Sequence, residues 1–300
     1  MKQIKNFLQI TILAIVILFS ACKKNSTIDP VVTPPAAPLA AQSTNDVAYG
    51  TDALQKFDMV LPAGRTTATT KVLIIIHGGA WSAGDKADMT TTLNSLKASL
   101  PDYAFFNLNY RLASAATGAN AFPAQENDVK AAVNFINSKR AEYNISDKFA
   151  LLGASAGAHL ALLQAYKNAT PKIKAVVDIF GPTDMTDMYN NPAGPSSPAY
   201  LIGYITTGNL VDTPTSNPSA FAASSPLTFV TAQSPPTILF HGLLDNVVRH
   251  QQSGLLVSKL SQNLVPNQYV TYATEGHGFG SANSTDTQLK TVAFLNANVQ

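Results

Sequence analysis

The five residues Gly153-Ala154-Ser155-Ala156-Gly157 carry the clearest chemical signature in the sequence. They follow the short apolar run 148–152 and precede residues 158–165, whose composition is that of a helix. A Gly-x-Ser-x-Gly pattern between a strand and a helix is typical of a nucleophile elbow, a turn so tight that the neighbours of the serine must be small. All four neighbours are glycine or alanine here. The pattern therefore predicts that Ser155 is a nucleophile.

This serine needs a general base, because a free hydroxyl group is barely ionised at neutral pH. Of the five histidines in the chain, His277 lies in the glycine-flanked segment 275–279, directly after a predicted strand. Glycines on both sides would let the loop carry the imidazole over the edge of the sheet to Ser155, so His277 is the predicted base. The other histidines are interpreted as turn residues at strand ends (His77 and His241), a packing or capping residue (His159) and a helix start on a solvated face (His250).

An acidic partner must fix the tautomer of the base and stabilise its protonated form. Asp245 follows the predicted strand 237–240 and completes the chain order serine, aspartate, histidine, which accompanies the nucleophile elbow. Asp184, after the predicted strand 173–180, is the alternative. Asp245 is preferred because its strand is expected to lie beside the strand that leads to His277.

The tetrahedral intermediate of acyl transfer carries negative charge on an oxygen atom, which needs backbone N–H donors. The segment His77-Gly78-Gly79-Ala80-Trp81 follows a predicted buried strand, and its glycines allow the backbone to approach a ligand. Gly79 and Ala80 are the predicted donors, with Ala156, the residue after the nucleophile, as the third. By itself the segment could be a plain tight turn. The order of the three signals along the chain favours an oxyanion hole.

Five segments together carry a family resemblance: 77–81, 109–112, 153–160, 236–245 and 276–279. Through them the chain from about Tyr49 to the C-terminus resembles α/β-hydrolases of the esterase and lipase group, related to hormone-sensitive lipase and to bacterial feruloyl-esterase-like proteins. The resemblance implies that Arg111 and Asp128 form an ion pair that supports the site without taking part in catalysis. Ala80 stands where many relatives have a third glycine, and its methyl group is expected to be tolerated if its φ angle stays negative.

The segments between these motifs alternate between strand and helix patterns. Continuous apolar runs such as 72–76 are expected of strands that are covered on both faces. The alternation predicts an α/β fold with a mostly parallel central sheet and helices on both sides. The predicted strands are 54–61, 72–76, 103–108, 148–152, 173–180, 237–240 and 268–272, and the predicted helices are 89–100, a segment starting at Pro123, 248–260 and 286–296.

The N-terminal part of the chain has a different character. Residues 1–21 combine a positive start, an apolar run and small residues before the sole cysteine, Cys22. This arrangement resembles a bacterial lipoprotein signal, and it predicts export to the cell envelope with a lipid anchor on Cys22. A plain secretory signal is the alternative, while a transmembrane anchor is disfavoured because the run is short of about 20 apolar residues.

The domain boundaries follow from proline content. Residues 22–45 contain several prolines and are predicted to be an extended tether, so that the α/β-hydrolase domain spans 46–300. Within it, residues 181–236 contain nine prolines. This segment is predicted to be a loop-rich insertion over the carboxyl edge of the sheet, where such loops shape substrate sites.

The composition excludes several classes of function. The 20 basic residues fall to 18, against 18 acidic residues, when Lys2 and Lys5 of the predicted signal are subtracted. With no basic run in addition, nucleic acid is not an expected partner. A single cysteine excludes a disulfide framework and a thiolate metal site within the chain. No metal or organic cofactor is expected, and the sequence does not indicate an oligomeric state.

The expected function is hydrolysis of carboxylic esters through an acyl-enzyme, with an ester of a small molecule or a carbohydrate as substrate. Two alternatives stay open. One is an amide hydrolase of the same fold, because segments 77–81 and 155–160 also resemble kynurenine formamidases. The other is a non-catalytic binding protein, which would lack a member of the triad. Six apolar side chains of the insertion are expected either to line an acyl or aryl pocket or to fill the core beneath the loop: Tyr189, Tyr200, Leu201, Ile202, Tyr204 and Phe221.

Overall fold

The computed structural model describes residues 37–168, 170–195 and 197–300. The predicted signal (1–21), Cys22 and most of the predicted tether lie outside the described residues, and the lipid anchor stays a prediction. Residues Pro38–Gln300 form one compact unit. In the described ranges no helix combines the length and the apolar character needed to cross a membrane.

One sheet of eight strands forms the centre of this unit, in the spatial order β1-β2-β4-β3-β5-β6-β7-β8. The pairs β1–β2 and β2–β4 are antiparallel, and the other neighbours are parallel. The strands are β1 (Gln42–Ala48), β2 (Lys56–Leu61), β3 (Lys71–Ile76), β4 (Tyr103–Leu108), β5 (Phe149–Ala154), β6 (Ile173–Ile179), β7 (Thr237–Gly242) and β8 (Asn267–Tyr272).

Helices cover both faces of the sheet, as parallel strands require for their connections. They are α1 (Thr90–Ser99), α2 (Ala124–Ser138), α3 (Arg140–Tyr143), α4 (Ala156–Lys167), α5 (Met185–Asn190), α6 (Ala199–Thr207), α7 (Pro218–Ala223), α8 (Gln251–Gln262) and α9 (Ser281–Asn298), with 3₁₀ turns at Lys86–Met89 and Pro226–Phe229.

The central strand β3 shows how the apolar runs produce this arrangement. Its side chains alternate between two core clusters, as expected of the two-residue period of a strand. Val72, Ile74 and Ile76 pack in the cluster that includes α2, α4 and α8. Leu73 and Ile75 pack in the cluster that includes α1 and α9. Because each face is covered by helices, every side chain after Lys71 is buried, and no polar face remains.

The structure differs from the sequence prediction at three places. β1 begins at Gln42, inside the predicted tether 22–45, because it is a polar edge strand held by pairing with β2 rather than by an apolar face. The predicted loop-rich insertion 181–236 contains three short helices, α5, α6 and α7. Helix α9 begins at Ser281 rather than Asp286. The other predicted strands and helices agree with the structure to within about three residues at each end.

Candidate active site

The predicted elbow lies at the carboxyl end of β5, where the chain turns directly into α4. Ser155 has φ 52° and ψ −121°, a region that is sparsely populated for residues with a side chain. The turn also packs tightly on the end of β3. A Cβ atom on Gly157 would lie 2.2 Å from the Ile76 carbonyl oxygen, and one on Gly153 would lie 2.3 Å from the Gly157 carbonyl carbon. The two flanking glycines are therefore required by packing.

Three loops bring the predicted nucleophile, base and acid together. The Nε2 atom of His277 lies 2.9 Å from Ser155 Oγ, and its Nδ1 atom lies 2.7 Å from Asp245 Oδ2. Since a carboxylate accepts only, His277 carries its proton on Nδ1 and donates it to Asp245. Its Nε2 lone pair then accepts the Ser155 O–H group. This hydrogen-bonded chain can deprotonate the serine and stabilise the resulting imidazolium.

The alternative acid, Asp184, has a different role. Its side chain caps α5 by accepting hydrogen bonds from the backbone N–H groups of Thr186 and Asp187. Asp245 is the carboxylate that contacts His277, and its side chain is fully buried. A buried charge is stable only when it is fully hydrogen-bonded.

Three hydrogen bonds and one close polar contact satisfy that requirement at Asp245. Its Oδ1 atom accepts N–H groups from Val247 at 2.8 Å and Val248 at 2.9 Å. Its Oδ2 atom faces His277 and a second histidine, His241, whose Nε2 atom is 3.2 Å away. Burial by itself would raise the pKa of Asp245, but the hydrogen bonds from His241 and His277 outweigh burial and hold the pKa well below its ordinary range.

The position of His241 corrects its interpretation as a turn residue. His241 is a fully buried residue inside β7 and contacts the acid of the site. A polar side chain within the apolar strand Thr237-Ile238-Leu239-Phe240-His241, four residues before Asp245, was the signal available in the sequence.

The predicted oxyanion donors surround the nucleophile. A Cβ atom on Gly78 would lie 3.2 Å from Ser155 Cβ, which places the loop after β3 directly beside the elbow. Among the described residues, the backbone N–H groups of Gly79, Ala80 and Ala156 donate to no protein acceptor. Unpaired N–H groups beside a nucleophile are what an oxyanion hole requires.

The backbone of this loop is strained at Ala80 and Trp81. The φ angle of Ala80 is +49° and that of Trp81 is +59°, so the chain enters the left-handed region with two side-chain-bearing residues. Gly79 has φ +112°, and a Cβ atom there would lie 2.0 Å from the Ala83 carbonyl oxygen. The condition set for tolerating the Ala80 methyl group, a negative φ angle, is therefore not met, yet the loop accommodates the methyl group at a positive φ angle.

A buried hydrogen bond holds this strained loop in place. Trp81 donates its Nε1–H to His159 Nδ1 at 3.1 Å, and His159 donates its Nε2–H to the carbonyl oxygen of Ser224 at 2.7 Å. Burial lowers the pKa of His159 to about 4, so the ring stays neutral in this arrangement at neutral pH. The interpretation of His159 as a packing residue is confirmed, with the added finding that it links the oxyanion loop to the insertion.

A small cavity of about 30 Å³ adjoins Ser155. The insertion forms much of its wall. The other lining residues are Ala80, Trp81, Pro182, Met188, Ser197, Leu201, Ile202, Ile205, Val247 and Val248.

The six apolar residues of the insertion divide between the two expected roles. Leu201 and Ile202 line the cavity. Phe221 is fully buried, with the ring of Tyr189 edge-on at 5.5 Å. Tyr204 is also buried, while Tyr200 is 59% exposed and serves neither role.

A larger groove of about 510 Å³ lies between α1 and α9. Phe180 and Phe279 line it, and the Phe180 ring also lies 4.5 Å from the His277 ring. Ser155 is not among the residues that line this groove. Of these two cavities, the small one is therefore the one that adjoins Ser155.

Comparison with known proteins assigns the family. The sequence pattern of the BD-FAE family matches residues 57–260. The chain belongs to the BD-FAE family. It is 30% identical over 247 residues to "Probable carboxylic ester hydrolase LipM" of Mycobacterium tuberculosis, which covers 76% of this chain and 54% of that protein. "Esterase LipQ" of the same organism is 29% identical over 241 residues. The BD-FAE chain thus spans about half the length of the curated relatives it matches.

Solved structures show the same fold. A "truncated form of carbohydrate esterase from gut microbiota" is 26% identical with a TM-score of 0.68, and the match covers 87% of this BD-FAE chain and 100% of that chain. A "bifunctional GH43-CE" of Bacteroides eggerthii is 27% identical with a TM-score of 0.71, covering 86% of this chain and 35% of that one. The predicted α/β-hydrolase fold is confirmed.

The ion pair implied by the resemblance is present in this BD-FAE family member. Arg111 Nη2 lies 2.6 Å from Asp128 Oδ1, and the Asp128 side chain is almost fully buried. Gln55 Nε2 and the Arg111 backbone N–H also donate to Asp128, at 2.7 Å and 2.8 Å. These bonds anchor the segment after β4 to α2 and do not involve Ser155. Among the described residues, no cluster of three or more His, Cys, Asp or Glu side chains could hold a metal ion.

A further buried carboxyl group of the BD-FAE chain, that of Asp178 in β6, was not singled out from the sequence. Its Oδ1 atom accepts the Gly181 N–H at 2.7 Å, and its Oδ2 atom has no hydrogen-bond partner among the described residues. Burial raises the pKa of Asp178 from about 3.8 to about 7, against the opposing effects of the Gly181 hydrogen bond and of His241.

This raised pKa predicts how stability depends on pH. Between about pH 4 and 7 the folded form binds more protons at Asp178 than the unfolded form, so this group makes stability fall as pH rises, by at most about 1.4 kcal/mol per pH unit. Asp178→Asn is therefore expected to raise the urea midpoint at pH 8 more than at pH 5. Asp147→Asn, at an exposed carboxylate, is the control and should show no such difference. A larger gain at pH 5 than at pH 8 for Asp178→Asn would contradict the prediction.

Proposed function

We propose that this protein is a carboxylic ester hydrolase that acts through an acyl-enzyme on Ser155. The observation that carries the proposal is the continuous chain from Ser155 Oγ to His277 (2.9 Å) and from His277 to Asp245 (2.7 Å). Beside it lie three backbone N–H groups for which the described part of the chain provides no acceptor. Membership in the BD-FAE family and the names of the relatives support the same reaction.

The proposed reaction begins with proton transfer. Ser155 Oγ attacks the ester carbonyl carbon while His277 Nε2 takes the hydroxyl proton, and Asp245 stabilises the imidazolium through Nδ1–H. The carbonyl oxygen becomes an anion and accepts the N–H groups of Gly79, Ala80 and Ala156. When the tetrahedral intermediate collapses, the bond to the alkoxide breaks, and His277 gives its proton to the departing alcohol. Water then attacks the acyl-enzyme by the same steps, which releases the acid and restores Ser155.

The size of the small cavity indicates a short acyl group. A cavity of about 30 Å³ beside Ser155 suits an acetyl group better than a long chain or an aromatic ring. Ile202 and Leu201 form part of the wall, so the insertion limits the length of the acyl group.

A series of p-nitrophenyl esters tests this proposal, because the leaving group stays constant while the acyl chain grows. The expected kcat/KM for the octanoate ester is at least about tenfold lower than for the acetate ester. The reason is that each methylene group that the cavity does not accommodate weakens transition-state binding by on the order of 1 kcal/mol or more. Ile202→Ala should raise the ratio of butyrate to acetate turnover, whereas Leu289→Ala, at an exposed site on α9, should leave it unchanged. Octanoate hydrolysed as well as acetate would contradict the acyl assignment.

For the alcohol part of the substrate we propose a carbohydrate. The support is the similarity to the carbohydrate esterase from gut microbiota, at 26% identity over 87% of this chain. In the same series, acetate release from acetylated xylose and from ethyl acetate would be compared at equal concentration. The sugar ester is expected to be the better substrate.

The control for bond type is the p-nitroanilide of acetic acid, compared with p-nitrophenyl acetate. Faster cleavage of the amide than of the ester would favour an amide hydrolase.

A further inference from the structure

His241 is a buried histidine that the proposed reaction does not use. It lies in β7 with no exposed surface, and both ring nitrogens have partners. Its Nε2 atom lies 3.2 Å from Asp245 Oδ2 and 2.9 Å from the Val248 carbonyl oxygen. Its Nδ1 atom lies 2.8 Å from Ser253 Oγ in α8.

These partners define the tautomer of His241. Nε2 faces two acceptors, so it must carry a hydrogen. It donates that hydrogen to the Val248 carbonyl oxygen at 2.9 Å, and Asp245 Oδ2 lies in close polar contact at 3.2 Å. Nδ1 can then accept the Ser253 O–H group, which makes the neutral ring a bridge between α8 and the acid. Every polar atom of the ring is satisfied in this state, as a buried side chain requires.

The two oxygens of Asp245 are restrained in different ways. Oδ1 accepts the N–H groups of Val247 and Val248, which belong to the same loop as Asp245 and move with it. Oδ2 accepts from His277, which lies on another loop, and is in polar contact at 3.2 Å with His241, which lies in the sheet. His241 is thus the link between the oxygen that faces the base and a rigid element of the fold.

We propose that His241 is a positioning residue that holds Asp245 Oδ2 against His277 Nδ1–H. The inference rests on the proposed function of the triad. Small displacements of a catalytic group reduce rate strongly, so an acid on a loop benefits from a tether to the sheet. Loss of one hydrogen bond to this carboxylate is expected to lower kcat by about tenfold or more, with little change in KM, because the contact does not reach the substrate.

Two amide variants separate the two halves of the bridge. The side-chain amide of glutamine can replace Nε2, whereas that of asparagine reaches only the position of Nδ1. His241→Gln therefore keeps a donor for Asp245 and loses the bond to Ser253, and His241→Asn does the reverse. The expected kcat on p-nitrophenyl acetate is within about threefold of wild type for His241→Gln and at least about tenfold lower for His241→Asn. Equal losses in the two variants would indicate a general packing role and overturn the proposal.

A double-mutant cycle with Asp245→Asn tests whether His241 acts through the acid. If it does, His241→Asn should cause no further loss of kcat once Asp245 is replaced, because the contact is already lost. Losses that multiply would show that His241 acts independently of Asp245.

Should His241→Asn fail to fold, Ser253→Ala serves as the second variant. Ser253→Ala removes the hydrogen-bond partner of His241 Nδ1, and we expect kcat to fall a few-fold. An unchanged kcat would count against a role for His241 in linking α8 to Asp245.

A measurement without substrate separates failure of this inference from failure of the proposed function. The proton shared by His277 Nδ1 and Asp245 should give a low-field proton NMR signal in the wild type. The signal is expected to persist in His241→Gln and to shift or broaden in His241→Asn. An unmoved signal in His241→Asn would overturn the positioning role whatever the enzyme hydrolyses, whereas absent ester turnover with the expected NMR changes would reject only the function.

Discussion

Replacing Ser155 with alanine is expected to lower kcat for p-nitrophenyl acetate by on the order of 10⁵- to 10⁶-fold, the scale seen when the nucleophile of a serine triad is removed. The reason is that, of the two serines that line the small cavity, Ser155 is the one hydrogen-bonded to His277, and the variant keeps only His277 and the N–H groups of Gly79 and Ala80. Retained turnover above about one-thousandth of the wild-type rate would reject Ser155 as the nucleophile. A fluorophosphonate probe gives a second readout, since only the wild type should be labelled.

The matched control for this variant is Ser155→Gly. Ser155 is held at φ 52°, where a Cβ atom costs about 1–3 kcal/mol and glycine does not. Both variants should be inactive, but the glycine variant should unfold at a higher urea concentration than the alanine variant. The order of the two urea midpoints thus reports backbone strain at position 155 independently of catalysis. An alanine variant at least as stable as the glycine variant would show that the backbone at this position is not strained.

Gly157→Ala is expected to have the largest effect on stability, with a loss of about 3 kcal/mol or more in the free energy of unfolding. The new Cβ atom would lie 2.2 Å from the Ile76 carbonyl oxygen and 2.4 Å from that of His77, so α4 must move away from β3. Overpacking usually costs about 1–3 kcal/mol, and contact with backbone on a central strand puts this site at the upper end. Because Ser155 precedes α4, kcat should also fall sharply.

The control is a helical glycine with open space around it. Gly254 lies in α8, and a Cβ atom there would meet nothing within 4 Å. Gly254→Ala is expected to raise the free energy of unfolding by about 0.5–1 kcal/mol, because alanine favours the helix. Urea titrations would show whether the free energy of unfolding falls for Gly157→Ala and rises for Gly254→Ala. A Gly157→Ala protein as stable and active as wild type would show that the elbow does not pack against β3 as described.

Much of the fold was predictable because its signals are local. Five successive apolar residues after Lys71 predict a strand covered on both faces, and the structure buries all of them. Strand β1 was missed for the opposite reason. Its sequence, Gln42-Ser43-Thr44-Asn45-Asp46-Val47-Ala48, is polar and exposed, and it is held mainly by backbone pairing with β2, which leaves no apolar pattern to detect.

The members of the candidate site were predictable from motifs, but one contact was not. His77-Gly78 and His241-Gly242 have the same local pattern, a histidine that follows an apolar strand and precedes glycine. In the structure the His77 ring stacks on Tyr110 at 4.3 Å, whereas His241 contacts Asp245. Only the neighbours brought by other strands distinguish the two histidines.

By itself, the sequence determined the alternation of strands and helices, the elbow at Ser155 and the chain order of Ser155, Asp245 and His277. These features depend on backbone periodicity and on steric demands within a few residues. The tertiary structure decided which histidine contacts Asp245, the positive φ angle of Ala80 and the small volume of the cavity beside Ser155. Each of these depends on contacts between segments far apart in the chain, because close packing of distant elements fixes the positions of side chains.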